Sequence, residues 1–363
     1  MLDARIGGLD IAAYRVPTDG PESDGTLEWE HTDVVVVQVR AGDESGLGWS
    51  YAPRAAATLI EDLLRPALLG RSVVDVQESW VMMVQRLRNA GVPGIGYMAI
   101  SAVDVALWDL KARCLGLPLA DLFGRVRAEV PIYGSGGFTS YTDQQLCEQL
   151  ASWAVRGIGR VKMKVGRDPA SDSDRVARAR AAVGPGVELF VDANGAYSRK
   201  QALAFAQRFS ELGVSWFEEP RPSSDLEGLR LVRDRAPAGM DIAAGEYGDT
   251  LPYFRRLLAA GAVDCLQADV TRCGGYTGLL QVAALCEAFE LPLSAHCAPQ
   301  LHAHIGCALA PLRHIEFFHD HVRIAELLFD GALVPAEGRL RTDRSRPGHG
   351  MTLKLADAAR YRF

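Results

Sequence analysis

The sequence lacks the features that mark membrane-spanning proteins, secreted proteins and disulfide-rich domains. No uninterrupted apolar run is long enough to cross a bilayer. The first residues, "MLDARIGGLDIAAYRVP", carry acids where a signal peptide has a basic segment followed by an apolar one. The seven cysteines are an odd number and include no C-x-x-C pair, so neither a zinc ribbon nor a disulfide framework is indicated. We therefore expect a protein of the reducing cytoplasm that binds no membrane.

The sequence also lacks a cluster of charged residues of one sign. The formal net charge is −6, and acidic and basic residues are interspersed, which leaves no basic stripe for nucleic acid and no polybasic patch for a membrane surface. We expect a small-molecule partner and no nucleic acid. With 363 residues, 48% hydrophobic and 23% charged, the chain is long enough for one large barrel or two domains with a sizeable core.

A repeated pattern of strands and helices begins at about Val130. Short β-rich runs alternate there with amphipathic helical stretches, which is typical of parallel βαβ units. Ionisable residues end successive predicted strands at intervals of 20 to 28 residues, and they are Lys164, Asp192, Glu218, Glu246, Asp269, His296 and Glu316. One such group after every strand predicts an α/β barrel with its active site at the C-terminal face, whereas an open doubly wound sheet gathers polar residues mainly at one switch point.

Three regions are expected along the chain. Residues 1–125 combine a run "DVVVVQVR" (33–40), a turn-rich "AGDESGLGWSYAP" and three helical stretches, which predicts an N-terminal α+β capping domain. Residues 126–330 form the predicted barrel. Residues 331–363 lack the barrel period, and we expect them to pack back on the capping domain as a C-terminal tail.

Two barrel helices have recognisable beginnings. Thr142 with Gln145, and Ser198 with Gln201, each match a capping box, in which the first residue caps the helix and the residue three positions later caps it in return. We therefore predict that one helix begins just after Thr142 and another just after Ser198.

Three acids after consecutive strands predict a metal site. Asp192, Glu218 and Glu246 stand in "VDANG", "WFEEP" and "AAGEYG", and adjacent barrel strands bring such ends together. Three ionised carboxylates repel one another unless a divalent cation lies among them, and all-oxygen ligation with room for water or substrate suits Mg²⁺. Each acid alone would be interpreted as a surface residue or a helix cap, but their common register favours the metal.

The segment "RVKMKVG" (160–166) predicts a buried strand that carries two lysines. Because strand side chains alternate, Lys162 and Lys164 point to the same side, and a strand of a closed barrel has no solvated edge on which to place them. Neighbouring charge and partial burial are expected to lower the pKa of such a lysine from about 10.4 toward neutrality. A lysine in this position can then act as a general base.

The later strand ends carry an imidazole and two more acids. Asp269 and His296 are predicted to hydrogen-bond as a dyad in which the carboxylate fixes the imidazole tautomer; taken apart, they would be a loop cap and a core histidine. Glu316 is either a buried acid whose raised pKa lets it donate a hydrogen bond to a substrate oxygen, or a salt-bridged barrel residue. His319 and His321, in "FFHDH", do not join the series, and we expect them at the surface.

These groups together suggest one chemistry. A metal coordinates the substrate carboxylate and stabilises the enediolate that forms when a base removes the adjacent α-proton. The lysine and the His-Asp dyad stand on opposite sides of the substrate. Reprotonation from the other side gives racemisation, whereas loss of a β-leaving group with histidine as the acid gives dehydration. A barrel kept as a non-enzymatic binding module would lack some of these groups, and none is missing.

The strand-end motifs are similar to those of a known family. They are K-x-K (162–164), "VDAN", "EEP", "GE", "DVTRCGG", "SAHCAPQLHAHIG" and "IEF", preceded by "SAVDVALWDLKARCLGLPLADLFG". Over nearly its whole length the chain resembles the mandelate racemase subgroup of the enolase superfamily, also described as mandelate racemase/muconate lactonizing enzyme-like. The resemblance implies a modified TIM barrel, (β/α)7β, with an N-terminal α+β capping domain.

The resemblance also implies a role for each residue of the series. The implied Mg²⁺ ligands are Asp192, Glu218 and Glu246, and in "FEEP" the neighbouring Glu219 is expected to alternate to the other face. The implied catalytic residues are Lys164 and His296 as the acid/base pair, Asp269 as the residue that orients His296, Lys162 as the residue that tunes Lys164 and helps neutralise the enolate, and Glu316 as a hydrogen-bond partner of the substrate carboxylate.

Most members of the subgroup are dehydratases of sugar acids, with racemases, epimerases and lactone cycloisomerases less frequent. We therefore expect a Mg²⁺-dependent hydro-lyase that dehydrates an acid sugar, with an isomerase of a hydroxy acid by the same enolate as the alternative. We also expect a homo-oligomer.

The segments expected to set specificity lie in the capping domain, at residues 19–30 and 48–53. The first is acidic and contains no lysine or arginine, which disfavours a sugar diacid as the substrate. Trp49 and Tyr51 either stack on a sugar face or fill an apolar pocket, or they pack in the core.

Overall fold

An antiparallel sheet begins the chain in the computed structural model, which describes residues 4–363. Its strands lie in the order β1-β2-β3, and their bounds are Gly8–Ser23, Glu28–Ala41 and Glu44–Ser50. The helical segments that follow are α1 (Ala55–Leu59), a π-helical turn (Ile60–Leu64), α2 (Arg65–Leu68), α3 (Val76–Arg86), α4 (Ile95–Cys114) and α5 (Leu119–Phe123).

The apolar run in β2 is continuous because the sheet is covered on both faces. Val34 and Val36 belong to the large core that extends into the barrel, whereas Val35 and Val37 belong to a second core with the helices of the N-terminal region. All four side chains are buried. Alternating valines therefore serve two cores, and a strand exposed on one face would have alternated apolar with polar residues.

Part of the turn-rich segment is a strand, which the sequence did not predict. Its glycines are needed for packing: a Cβ atom on Gly46 would lie 2.2 Å from the carbonyl oxygen of Ala106, and one on Gly48 would lie 2.3 Å from that of Ala102. Helix α4 therefore lies directly against β3, at a distance that only glycine permits.

Eight parallel strands form a closed barrel, because the last strand pairs with the first. The strands are β4 (Val130–Gly136), β5 (Arg160–Lys164), β6 (Glu188–Asp192), β7 (Val214–Glu218), β8 (Asp241–Ala244), β9 (Cys265–Ala268), β10 (Leu293–Ala295) and β11 (Leu312–Phe318). The helices between them are α6 (Asp143–Val155), α7 (Asp172–Val183), α8 (Arg199–Glu211), α9 (Leu226–Arg235), α10 (Leu251–Ala259), α11 (Gly275–Ala288) and α12 (Pro299–Gly306). The predicted (β/α)7β fold is confirmed.

Both predicted capping boxes are present. The side chain of Thr142 accepts a hydrogen bond from the backbone of Gln145 at the start of α6, and Ser198 accepts one from Gln201 at the start of α8. In each case the glutamine side chain accepts from the capping residue's backbone in return. These two helices therefore begin where the sequence predicted.

The end of the chain returns to the first sheet. After α13 (His319–Leu328) come β12 (Phe329–Asp330), β13 (Arg339–Leu340), β14 (Thr352–Leu353), α14 (Leu355–Ala358) and a 3-10 turn (Ala359–Tyr361). The backbone N–H of Phe363 donates to the carbonyl of Ala13 in β1.

The boundaries near residues 125 and 330 stay predictions. Among residues 4–363, no helix combines the length and apolar character that crossing a bilayer requires.

Candidate active site

The ends of the barrel strands bring the predicted residues together around one cavity, and those that line it are Lys164, Glu246, His296 and Glu316. Lys164, Asp192 and Glu218 are the last residues of β5, β6 and β7, and they are paired in register across these strands. Glu246 follows β8 after Gly245, where φ is 133° and a Cβ atom would lie 2.2 Å from the carbonyl oxygen of Gln267. The cavity has a volume of about 410 Å³.

Three carboxylates converge at one side of this cavity. Asp192, Glu218 and Glu246 each offer one oxygen, and these oxygens lie within 4.8 Å of one another. All three residues are buried, and the Oε2 atom of Glu246 has no hydrogen-bond partner. A buried carboxylate oxygen without a partner is costly, and a hard divalent cation with oxygen ligands would satisfy it. The donor set therefore fits Mg²⁺.

The two lysines of β5 point into the same group of acids, as strand alternation predicted. The ammonium of Lys162 lies 2.5 Å from Glu218, 2.8 Å from Glu316 and 3.3 Å from Asp192. The ammonium of Lys164 lies 2.5 Å from Asp192 and lines the cavity. Lys162 is fully buried beneath it.

The predicted lowering of the lysine pKa is wrong for the protein without a cation. Burial lowers the pKa of Lys164, and so does Lys162, but the negative charges of Asp192, Glu246 and Glu218 together raise it by more, so that the net shift is upward. Burial also lowers the pKa of Lys162, and Glu218 and Glu316 outweigh it. The number of acids around each ammonium depends on the fold and could not be predicted from the sequence, and here the acids decide the sign of the pKa shift.

The acids carry more negative charge than the two lysines compensate. Burial, and then Asp192, raises the pKa of Glu218 well above its ordinary value. Burial raises the pKa of Asp192 too, but Lys164 and Lys162 outweigh it and hold the pKa at about 2. An excess of buried negative charge of this kind is what a divalent cation neutralises.

Glu219 follows the end of β7 with a φ of 39°, so strand alternation does not extend to it. Its side chain is buried, and burial, and then Glu246 and Asp192, raises the pKa of Glu219 well above its ordinary value. It is not one of the three acids whose oxygens converge. Its expected direction toward the other face stays a prediction.

The dyad has the predicted hydrogen bond. His296 Nδ1 and Asp269 Oδ2 are 2.9 Å apart, and Asp269 Oδ1 accepts from the backbone N–H and the hydroxyl of Thr271. Burial raises the pKa of Asp269, but His296 outweighs it and the net shift is downward. An ionised carboxylate can only accept, so Nδ1 carries the hydrogen and Nε2 faces the cavity.

Glu316 is a salt-bridged residue inside β11, two positions before the strand ends. Its Oε1 atom accepts from Ser135 Oγ at 2.5 Å, and its Oε2 atom accepts from the backbone N–H of Cys297 at 2.9 Å. Burial raises the pKa of Glu316, but Lys162 and His296 lower it well below its ordinary value. The alternative with a raised pKa is therefore wrong, because the neighbouring cations outweigh burial.

The histidines of "FFHDH" are not surface loop residues. They belong to α13, and His321 lines the cavity with its ring stacked on Tyr51 at 3.3 Å between centroids. Burial lowers the pKa of His321 to about 3. His319 is partly buried, with Nε2 2.9 Å from Asp19. Trp49 packs in the core against Phe329 and does not line the cavity.

The cavity is also lined by three residues that we did not predict from the sequence. Asn194 and Cys297 have positive φ angles of 45° and 50°, and Arg272 donates to the backbone carbonyl of Glu246. They could have been predicted from their positions, because each follows a strand-end residue by one to three positions, in "VDAN", "AHC" and "ADVTR". Residues just past the strands form the rim of a barrel site.

Sequence comparison decides the family. The pattern of the enolase C-terminal domain-like family matches residues 145–358, and that of the mandelate racemase / muconate lactonizing enzyme N-terminal domain matches residues 16–124. The chain belongs to the mandelate racemase/muconate lactonizing enzyme family of the enolase superfamily. The resemblance predicted from the strand-end motifs is thereby confirmed.

Several members of this family are similar along almost the whole chain. A 3,6-anhydro-alpha-L-galactonate cycloisomerase of Streptomyces coelicolor is 34% identical over 349 residues, 94% of this chain and 94% of that protein. A mandelate racemase/muconate lactonizing enzyme-like protein from Rubrobacter xylanophilus has a solved structure with a TM-score of 0.97 and 54% identity, covering 99% of this chain and 100% of that one. An L-talarate/galactarate dehydratase from Salmonella typhimurium, solved with Mg and L-lyxarohydroxamate, has a TM-score of 0.92 and 28% identity, covering 100% and 94%.

Proposed function

We propose that this chain is a Mg²⁺-dependent acid-sugar dehydratase, which removes the proton α to a carboxylate and then eliminates water from the β-position. The observation that carries the proposal is that Lys164 and His296 line one cavity from different sides of the barrel. Lys164 ends β5 and His296 follows β10, and these strands are three apart by the shorter way round. Two such groups suit proton removal at one face of a carboxylic acid and protonation of a leaving group at the other.

Asp192, Glu218 and Glu246 are the residues that would hold the ion. When bound, Mg²⁺ supplies Lewis-acid stabilisation of the negative charge that develops on the substrate carboxylate during α-proton removal. The excess of buried negative charge and the magnesium in the talarate/galactarate dehydratase structure support this assignment.

Lys164 is the proposed base. Only a neutral amine accepts a proton, so the negative charge of Asp192, which raises the pKa of Lys164, must be compensated from another side during the reaction. Lys162 contributes to this compensation, because its ammonium lies 3.3 Å from Asp192 and lowers the pKa of Lys164. We assign Lys162 to tuning and not to proton transfer, since it is fully buried below the cavity.

His296 is the proposed acid. Asp269 holds its Nδ1–H, so that Nε2 presents either a proton for the leaving hydroxyl or a lone pair toward the cavity. Glu316 is the proposed partner of the substrate carboxylate. Lys162 keeps Glu316 ionised, and an ionised carboxylate cannot donate a hydrogen bond. Glu316 must therefore take up a proton when the anionic substrate binds beside it.

The capping region favours a substrate with a single carboxylate. Among the described residues, those of the capping region that line the cavity include Asp24 and Asp33 but no lysine or arginine. Arg15, the nearby guanidinium, makes two hydrogen bonds to Asp33 and is thereby already paired. A second carboxylate at the far end of a sugar diacid would meet these acids with no lysine or arginine of the described capping region lining the cavity to bind it. We therefore propose a sugar monoacid. A cytoplasmic location and a homo-oligomeric state stay predictions.

The second candidate function is an isomerase, either a cycloisomerase or a racemase. The observation that favours it is the 34% identity to a cycloisomerase over 94% of this chain. The same proton removal begins both reactions, so the two candidates differ only in the fate of the β-substituent and of the returning proton.

Incubation with Mg²⁺ and a panel of sugar monoacids separates the two candidates. A dehydratase forms 2-keto-3-deoxy products, which are followed by the absorbance of their semicarbazones. A racemase gives no keto product but exchanges the α-proton with D₂O. A cycloisomerase that opens a ring by the same elimination forms a keto acid from a cyclic substrate only, without loss of water, and leaves the open-chain acids of the panel unchanged. If no sugar acid yields a keto product while exchange is seen, the dehydratase proposal is wrong.

Matched lysine variants test the assignment of the base. Lys164→Ala removes the ammonium that lines the cavity, whereas Lys200→Ala removes an exposed one near the start of α8. We expect Lys164→Ala to lower the rate by at least about 10²-fold, the smaller end of what general base catalysis contributes. Lys200→Ala should behave as the unaltered protein. Equal rates for the two variants would rule out Lys164 as the base.

A further inference from the structure

A thiol stands beside the imidazole in the cavity, and the reaction proposed above gives it no role. We propose that His296, Cys297 and Glu316 form a second cation site, one that binds Zn²⁺ or another borderline cation through nitrogen, sulfur and oxygen and thereby inhibits the enzyme. The three residues line the cavity, so a cation from solution can reach them. Their exposed fractions are 6%, 4% and 1%.

The spacing of the three donor atoms fits one metal ion. Cys297 Sγ lies 3.3 Å from His296 Nε2, and that nitrogen lies 3.7 Å from Glu316 Oε2. All three donor atoms lie within 4.8 Å of one another. With Zn–S of about 2.3 Å and Zn–N or Zn–O of about 2.0–2.1 Å, a tetrahedral ion needs donors roughly 3.3–3.6 Å apart. The two distances from His296 Nε2 therefore lie in or close to the required range.

The surrounding hydrogen bonds already orient the donors. Asp269 holds the Nδ1–H of His296 and leaves the lone pair of Nε2 toward the thiol, which is the carboxylate–histidine arrangement of many zinc sites. Ser135 and Lys162 hold the Oε1 atom of Glu316, so its Oε2 atom is the one that faces His296. A pre-oriented donor set loses less entropy on binding.

An unpartnered oxygen adds negative charge at the same place. Glu246 Oε2 is buried without a hydrogen-bond partner and lies 3.3 Å from His296 Nε2. A cation bound to that nitrogen would be attracted by it. Because we also assign Glu246 to the Mg²⁺ site, this oxygen adds negative charge beside His296 but is not a ligand of the second site.

Donor type separates the two cation sites. Mg²⁺ prefers oxygen ligands, as at the three converging acids, whereas a thiolate and an imidazole favour Zn²⁺. On binding, the thiol of Cys297 releases its proton to solvent, and a thiolate–metal bond forms without any change of oxidation state. The ion then occupies His296 Nε2, the atom that we assign to proton transfer. Inhibition follows because that lone pair is no longer free.

The test uses Co²⁺ as a spectroscopic probe in protein saturated with Mg²⁺, and it needs no substrate, so its outcome is independent of the dehydratase proposal. A cobalt–thiolate bond gives a charge-transfer absorption in the near ultraviolet. We expect this band in the unaltered protein, its displacement by Zn²⁺, and at least a tenfold loss of Co²⁺ affinity in Cys297→Ser. Cys147→Ser, at a partly exposed free cysteine on α6, should keep the band. Absence of the band, or an equal band in Cys297→Ser, would overturn the proposal.

A second measurement uses only the unaltered chain, in case Cys297→Ser does not fold. Zn²⁺ should slow the alkylation of Cys297 by at least tenfold, measured by mass spectrometry of its peptide, while Mg²⁺ at the same concentration should not. Equal alkylation rates at Cys297 with and without Zn²⁺ would contradict the site. The peptide that contains Cys147 serves as the internal reference, and its rate should not change.

Discussion

Lys162 is a buried cation that compensates the charge of the acids around it. Replacing it should therefore lower the free energy of unfolding. Its ammonium lies within 2.8 Å of both Glu218 and Glu316 and is fully buried. Lys162→Met keeps the volume of the side chain and removes the charge. Removing one partner of a buried ion pair costs about 3–5 kcal/mol, because the remaining charge is left without compensation. We expect a loss of that size when Mg²⁺ is removed with EDTA.

Mg²⁺ should raise the free energy of unfolding of Lys162→Met by more than it raises that of the unaltered protein. Deleting a positive charge among carboxylates increases their attraction for a divalent cation. A ligand at 100 times its dissociation constant adds about 2.7 kcal/mol to the free energy of unfolding, and a tighter site adds more. The assay is urea unfolding followed by tryptophan fluorescence, with EDTA and with Mg²⁺, for both proteins.

Arg160 on the same strand provides the control. It pairs with Glu188 at 2.8 Å, but 35% and 40% of the two side chains are exposed. Exposed pairs contribute about 0–1 kcal/mol, so Arg160→Met should have a small effect that Mg²⁺ does not change. If the two variants lose the same stability, or if Mg²⁺ stabilises Lys162→Met no more than the unaltered protein, the electrostatic reasoning is refuted.

Three further predictions concern the dyad, the capping sheet and a buried acid. Asp269→Asn presents an amide N–H to His296 and favours the wrong imidazole tautomer. We expect the rate to fall by about tenfold to 100-fold, which corresponds to the 1.5–3 kcal/mol of a charge-assisted hydrogen bond. Circular dichroism should show that the variant folds as the unaltered protein does. Gly48→Ala places a methyl group 2.3 Å from a backbone oxygen and should lower the free energy of unfolding by about 1–3 kcal/mol, whereas Gly20→Ala, with no atom within 4 Å, should not. Burial raises the pKa of Asp104 from 3.8 to about 7, so the folded chain retains a proton that the unfolded chain releases, and stability falls as the pH rises through this range. Asp104→Asn should remove that part of the fall in urea midpoints between pH 5 and 8, and parallel midpoint curves for the two proteins would show that Asp104 does not titrate in this way.

The residues that meet at the strand ends could be predicted because their positions depend on a local period. A strand, a helix and two loops recur every 20 to 28 residues, and a residue at the same place in each unit reaches the same end of the barrel. The common direction of Lys162 and Lys164 follows from strand alternation alone. Both features are properties of short segments, which the sequence contains in full.

Ionisation states could not be predicted in the same way, because they depend on the balance of several groups brought together from distant parts of the chain. Glu316 was expected to hold a proton if burial dominated, but Lys162 from another strand and His296 from a third lower its pKa. The prediction of a lowered pKa for Lys164 was wrong for the converse reason, because Asp192, Glu246 and Glu218 together raise this pKa by more than burial lowers it. Each sign is decided by distances of a few ångströms between strands.

The residues that the sequence missed owe their places to packing between regions. His321 is in the cavity because Tyr51, which follows the first sheet, stacks on its ring. Cys297 and Ala298 turn the chain after β10 with φ angles of 50° and 40°, and this turn places the thiol beside His296. Left-handed backbone at two successive residues that are not glycine has no reliable sequence signal.

Proton NMR of His296→Asn in D₂O, with Mg²⁺ and a sugar acid that the unaltered enzyme dehydrates, tests whether Lys164 and His296 act independently at the two faces of the substrate. If Lys164 removes the α-proton and His296 protonates the leaving group from the other side, dehydration falls by about 10²–10⁴-fold. The α-proton of the stereoisomer that faces Lys164 should still exchange with deuterium. Loss of exchange to the same extent as loss of dehydration would contradict two independent groups at opposite faces of the substrate, and with them the proposed mechanism.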